Sequence, residues 1–217
     1  MTREPRVAVI DYGAGNLRSI SRALEATGAQ PFVVDGPADL AGADGVVLPG
    51  VGAAGASMAR MHELGLIEPL QELIANGTPF LGVCLGMQLL FGHQEEGDTH
   101  GLGVFSGRVR SLGPGVKSPQ IAWNRARLVV DGPLGAAGTD LDVYFVHSFI
   151  CVDPDPNDVV AVTRYGEAFP SIVRRDAVWG VQFHPEKSGE TGLSLVREWV
   201  NGVLERADAT RTAAVLA

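Results

Sequence analysis

A chain of 217 residues, 46% hydrophobic and 19% charged, holds enough apolar material for one α/β core and too little length for a multidomain assembly. Its formal net charge of −8, with no Lys/Arg-rich block, argues against nucleic acid or an anionic membrane as partner. The apolar run after Arg6 is too short for a signal segment and nothing reaches transmembrane length, so the expected location is the cytoplasm. In such a reducing compartment the two cysteines, Cys84 and Cys151, read as free thiols, with Cys151 structural.

In chain order, Arg6-Val7-Ala8-Val9-Ile10-Asp11 predicts a buried strand, Tyr12-Gly13-Ala14-Gly15 a turn, and residues 16–27 a helix ended by Gly28. Pro31-Phe32-Val33-Val34 and Gly45-Val46-Val47-Leu48 follow as strands, the second leading into the loop Pro49-Gly50-Val51-Gly52. Leu66, Ile67, Leu70, Leu73 and Ile74 fall at helical spacing over 66–76, with Gly77 after the end. Residues 79–83 then return as a strand and 85–91 as a helix. Such alternation predicts a parallel sheet flanked by helices. Beyond it, short strand candidates at 104–109, 126–130, 143–146, 159–162 and 171–173, separated by Gly/Pro/Asp turns, predict a smaller and more antiparallel region. Residues 178–183 read as one more buried strand. Residues 192–206 read as a closing amphipathic helix with Leu193, Val196, Trp199, Val200 and Val203 inward. The expected domain spans 1–206, with 207–217 a frayed tail.

Chemistry concentrates at Gly82-Val83-Cys84-Leu85-Gly86, where a strand should end in a sharp turn that carries a nucleophile into a helix. Flanking glycines allow the tight backbone, the helix start favours a thiolate, and the Leu85 N–H points toward an oxyanion formed by attack of Cys84 on a carbonyl. A thiol nucleophile needs a base, and the base needs a group that fixes its ring. His62, His93 and His100 sit in helical or polar contexts without a special partner and read as surface histidines, leaving His147 and His184. His184 follows the 178–183 strand, and Pro185 holds the chain so that Glu186 can return to the ring. On spacing alone, an incidental surface turn with a His and a Glu reads equally well. The glycines of Pro49-Gly50-Val51-Gly52 permit an N–H aimed at an oxyanion, though an ordinary βα turn fits the same residues. Gly13-Ala14-Gly15-Asn16-Leu17-Arg18 is a poor dinucleotide loop because Arg18 stands where the third glycine belongs. No His/Cys cluster supplies metal ligands, and no cofactor is expected.

Over residues 6 to about 205 these segments resemble the class I (triad) glutamine amidotransferases. Gly82-Val83-Cys84-Leu85-Gly86-Met87-Gln88 is similar to that family's nucleophile elbow, and Gly180-Val181-Gln182-Phe183-His184-Pro185-Glu186-Lys187-Ser188 to its base and acid segment. Asp11-Tyr12-Gly13-Ala14-Gly15-Asn16-Leu17-Arg18-Ser19, Pro49-Gly50-Val51-Gly52-Ala53 and Tyr144-Phe145-Val146-His147-Ser148 narrow the resemblance. They point to the branch whose members hand ammonia to a (β/α)8-barrel cyclase subunit in a heterodimer.

The resemblance implies a single-domain flavodoxin-like fold and attack of Cys84 on the amide of glutamine, with His184 as base and Glu186 as its orienter. It implies an oxyanion hole from Leu85 and a reoriented Val51 or Gly52 N–H, and glutamine binding by Gly50, Gly52, Gln88, Glu96, His147 and Ser148. His147 is then a pocket residue rather than the base. Asn16, Trp123, Asn124 and Lys187 match positions near the partner, although a buried core tryptophan is an equal alternative for Trp123. Pro119-Gln120-Ile121-Ala122-Trp123-Asn124 lies where many relatives have Pro-His-Met-Gly-Trp-Asn, and Phe149 replaces a common tyrosine.

Overall fold

A parallel sheet covered on both faces needs apolar side chains pointing both ways, which is why the first strands read as unbroken hydrophobic runs. The structure, a computed structural model, describes residues 4–13 and 15–216. Strands β1 (Arg6–Ile10), β2 (Gln30–Val34), β3 (Gly45–Leu48) and β4 (Phe80–Val83) alternate with helices α1 (Leu17–Ala26), α2 (Ala54–Glu63) and α3 (Ile67–Ala75). Val7, Val9, Val47, Leu81 and Val83 pack on one face with Ile20 and Leu24 of α1. Ala8, Ile10, Val46, Leu48 and Phe80 pack on the other with Met61 of α2 and Leu70 of α3. Each Val, Leu, Ile, Phe or Met side chain among them, fully buried, contributes roughly 1.5–3 kcal/mol.

The chain continues through α4 (Leu85–Leu89), β5 (Phe91–Gln94), β6 (Thr99–His100), β7 (Phe105–Ser111), β8 (Gln120–Leu128), β9 (Asp140–His147) and β10 (Phe149–Val152). It closes with β11 (Val159–Tyr165), β12 (Glu167–Arg175), β13 (Val178–Val181) and α5 (Gly189–Leu216). Among the described residues nine strands form one sheet in the order β2-β1-β3-β4-β13-β12-β11-β8-β9. The β2-to-β13 half is parallel and the β12-to-β9 half antiparallel. The antiparallel part is therefore a continuation of the central sheet, not only a smaller region beside it. A separate four-stranded sheet, β10-β7-β5-β6, packs near the end of α4.

Several elements differ from the sequence expectation. The helix after Cys84 ends at Leu89, and Phe91 already belongs to β5, where it pairs with Phe105 of β7. Helix α2 is not foreshadowed, because its inward positions are Ala54, Ser57 and Met61 and leave little apolar periodicity. Strand β8 starts at Gln120 rather than 126, with Gln120 buried and Ile121 and Trp123 exposed, the reverse of the usual pattern. Helix α5 buries Val196, Trp199, Val200 and Val203 as expected, with Leu195 added and Leu193 half-buried. Its helical backbone is described through Leu216, and residues 207–216 contain no Pro or Gly. Ala14 of the predicted turn and Ala217 of the predicted tail lie outside the described residues. No helix among the described residues is long and apolar enough to cross a membrane.

Candidate active site

Strands β1, β3, β4 and β13 are mutually parallel, so the loops leaving their carboxyl ends converge on one edge of the sheet. Those loops begin at Asp11, Pro49, Cys84 and Gln182. Val51, Gly52, Cys84, Leu85, Gln88, Glu96, His147, Ser148, His184 and Lys187, all singled out from sequence, line a single cavity of about 250 Å³ there. Larger clefts lie elsewhere, one of about 690 Å³ among Arg174, Trp179 and Trp199 and one of about 310 Å³ that reaches the buried Cys151, but neither brings a histidine to a cysteine.

Cys84 has φ 55° and ψ −107°, a region that a non-glycine residue enters at a cost of about 1–3 kcal/mol. The surrounding structure holds it there: its N–H donates to Val181 O at 2.7 Å and its carbonyl accepts the Gln88 N–H at 3.2 Å. Close approach explains the neighbouring glycines. A Cβ on Gly86 would stand 1.8 Å from Leu48 O, and one on Gly50 would lie 2.6 Å from Leu85 Cβ and 2.8 Å from the Tyr12 hydroxyl. Loop and elbow thus press backbone to backbone. Leu85 is the first residue of α4, so its N–H has no partner within the helix and is available to a ligand.

His184 Nδ1 lies 2.9 Å from Glu186 Oε1, and both side chains are at least 95% buried. Glu186 Oε2 is buried without a partner, so the carboxylate depends on the imidazole beside it for compensation. Burial opposes charge on His184, but hydrogen bonds to Cys84 and Glu186, and the negative charge on both, outweigh it and push the ring up to about 10. The ring is thus held as an imidazolium between sulfur and carboxylate. The segment is clasped to β9, with His184 N–H donating to Tyr144 O at 3.0 Å. Ser188 Oγ donates to His184 O at 2.7 Å and accepts from Tyr144 N–H at 3.0 Å.

His147 behaves oppositely. Its Nδ1 lies 2.8 Å from Phe149 O, which can only accept, so Nδ1 carries the hydrogen. Its Nε2 lies 3.0 Å from the Gln120 amide, whose Oε1 faces the ring while the buried Nε2 has no partner. Turning that amide over gives the ring lone pair a donor and the amide nitrogen a partner at once. Burial, reinforced by the positive His184, lowers His147 to about 4, the hydrogen bond to Phe149 opposing. His147 is a neutral wall of the pocket.

Tyr12 and Glu96 fasten the two ends of the loop after β3. The buried Tyr12 hydroxyl donates to Pro49 O at 2.8 Å, and the Ala54 N–H donates to Glu96 Oε2 at 2.8 Å. Between these ties Val51 is 42% exposed and Gly52 has φ 107° with nothing near its Cβ position. Sequence reading did not single out Tyr12, Gln182 or Ser188 individually. Tyr12 and Ser188 act through a backbone carbonyl or amide across 37 and 44 residues, a spacing that leaves no local pattern. Of the interface candidates, Trp123 is 58% exposed, its ring 6.0 Å from that of Tyr144 in a T-shaped pair, and Ile121 is 59% exposed. Asn16 and Lys187 are exposed, whereas Asn124 is half-buried and donates to Arg164 O. His62 and His100 are exposed, and His93 is half-buried opposite His100 across the β5–β6 pair.

Comparison with known proteins agrees with this geometry. Residues 8–201 match the family described as glutamine amidotransferase class-I. The imidazole glycerol phosphate synthase subunit HisH of Synechococcus elongatus is 44% identical over 94% of this chain and 96% of its own. That of Methanothermobacter thermautotrophicus is 45% identical over 89% and 97%. Among solved structures, one described as a glutamine amidotransferase superposes with a TM-score of 0.74 at 21% identity, covering 92% of this chain and 98% of the other. The structure of PurLQS from Thermotoga maritima gives 0.74 at 20%, covering 93% and 100%. The backbone likeness thus persists where little sequence does, and the closer sequences are HisH subunits: the chain belongs to the class I glutamine amidotransferases and, within them, to the HisH family.

Proposed function

We infer that this chain is the glutaminase subunit of an imidazole glycerol phosphate synthase. It hydrolyses glutamine to glutamate and ammonia and passes the ammonia to a (β/α)8-barrel cyclase subunit. That subunit forms imidazole glycerol phosphate and aminoimidazole carboxamide ribotide in histidine biosynthesis. The observation that carries the chemistry is the buried line of thiol, imidazole and carboxylate, Cys84–His184–Glu186, opening on a cavity at the carboxyl edge of the sheet.

His184 Nδ1–H is committed to Glu186, so the other ring nitrogen serves Cys84. The thiolate attacks the side-chain carbonyl carbon of glutamine, forming an S–C bond and moving the carbonyl π electrons onto oxygen. The Leu85 N–H and a Val51 or Gly52 N–H receive that oxyanion. As the C–N bond breaks, the imidazolium gives its proton to the leaving nitrogen and ammonia departs. Neutral His184 then takes a proton from water, the hydroxide equivalent attacks the thioester, and glutamate leaves as the sulfur regains its electron pair.

Gly50, Gly52, Gln88, Glu96, His147 and Ser148 hold the amino-acid end of the substrate in this reading. Gln88 Nε2 already donates to Phe149 O and Gln182 Oε1, so what it offers glutamine is its carbonyl oxygen. Ammonia is a nucleophile only while unprotonated, which favours transfer through a protein interior over release. The partner would seat on the face bearing Ile121 and Trp123, with Asn16, Asn124 and Lys187 around it. The turn that carries Lys187 packs against both α1, which begins beside Asn16, and β9, which neighbours Trp123.

The test is acid quenching during turnover and mass analysis of the Cys84 peptide. A hydroxylamine-sensitive glutamyl adduct on Cys84, with glutamate release absent in Cys84→Ala, is the expected outcome. Glutamate release by Cys84→Ala overturns the assignment.

A further inference from the structure

Gln182 belongs to the segment that carries the base, yet the mechanism above gives it no part. Its side chain is fully buried, with Nε2 3.8 Å from Cys84 Sγ and Oε1 3.1 Å from Gln88 Nε2. Which end of this amide faces the sulfur is decided at a distance. A backbone carbonyl can only accept, so the Gln88 atom 3.0 Å from Phe149 O is its nitrogen. The second hydrogen of that nitrogen meets Gln182, where an oxygen must receive it. The Gln182 nitrogen is left toward Cys84. One backbone carbonyl thereby orients two side-chain amides in series, ending in an N–H aimed at the sulfur.

The sulfur lies between groups of opposite preference. Val146 O, 3.6 Å away, only accepts and so favours the S–H form. An amide N–H only donates and so favours the thiolate. We propose that Gln182 is a further catalytic residue, a fixed donor that holds the Cys84 thiolate opposite Val146 O. The inference rests on Cys84 being the nucleophile. When the S–C bond forms, negative charge passes from sulfur to the substrate oxygen and the Gln182 hydrogen bond weakens. When water cleaves the thioester, the electron pair returns to sulfur and the same N–H receives it. Gln182 therefore serves the leaving group of the second half-reaction as much as the nucleophile of the first.

The test is the second-order rate of iodoacetamide alkylation at Cys84, located by peptide mass and measured from about pH 5 to pH 9 on the chain alone. The buried Cys151, whose thiol burial pushes up, serves as the unreactive reference. A hydrogen bond to a charged group corresponds to about a tenfold change in population. Gln182→Leu and Gln182→Met should both alkylate about tenfold more slowly than wild type on the acid limb of the profile and approach it as the pH rises. Gln182→Met keeps the side-chain length without a charge or an N–H, so it decides the matter if Gln182→Leu does not fold. Equal rates and pH profiles in wild type and variants overturn the proposal. A wild-type Cys84 no more reactive than free cysteine overturns the nucleophile assignment itself, a failure visible before any variant is compared.

Discussion

Two histidines share one cavity and are driven in opposite directions by what their ring nitrogens touch. His184 meets a thiol and a carboxylate, while His147 meets a carbonyl and an amide. The consequences for stability have opposite signs. The raised His184 adds stability that is complete below the unfolded value near 6.5 and is lost as the pH rises through about 10. The lowered His147 refuses a proton that the unfolded chain accepts, so stability falls as the pH drops from about 6.5 toward about 4. At 1.36 kcal/mol per unit this acid loss is about 3 kcal/mol. Urea unfolding at pH 7 and pH 4 should therefore show a smaller difference for His147→Gln than for wild type, by roughly 2–3 kcal/mol. An unchanged difference would mean that the ring is not held neutral. Spacing alone could nominate both histidines, and the family resemblance divided them into base and pocket residue, but neither supplied the physical cause. It lies in Phe149 O and Gln120, and only the folding of β8 against β9 brings Gln120 to His147.

At the level of elements, the site depends on two pieces of backbone meeting without side chains between them. The Cβ that Gly86→Ala would add overlaps Leu48 O at 1.8 Å, and both groups are backbone, so neither can swing away. Gly202, in the exposed part of α5, has nothing within 4 Å of its Cβ position and no positive φ. Gly86→Ala should thus lose more than about 4 kcal/mol or fail to fold, whereas Gly202→Ala should gain about 0.5–1 kcal/mol, both read by urea denaturation with circular dichroism. The parallel strands and the elbow were legible because buried strands and the Gly-x-Cys-x-Gly turn leave strong local signals. Helix α2 and the start of β8 were not. One buries small residues, and the other turns Gln120 inward and its large apolar residues outward. The inverted pattern of β8 follows from its position: its inner face supplies a polar partner to His147, and its outer face carries Ile121 and Trp123 into solvent.

For the whole molecule, the exposed indole separates folding from assembly. Trp123 contributes little to the core, so Trp123→Ala should leave unfolding free energy within about 0.5 kcal/mol of wild type. On the docking face proposed above, its loss should weaken association with the cyclase subunit by at least about tenfold, measured by titration calorimetry. Unchanged affinity would move the docking face elsewhere. The loop after β3, tied by Tyr12 and Glu96 at its ends, carries the N–H groups proposed as oxyanion donors. The most direct test is glutamate release from glutamine by the purified chain, with and without a barrel cyclase subunit and its nucleotide substrate. Strong stimulation by the two together, abolished in Cys84→Ala, is the predicted result; turnover indifferent to the partner, or surviving in Cys84→Ala, would contradict the account.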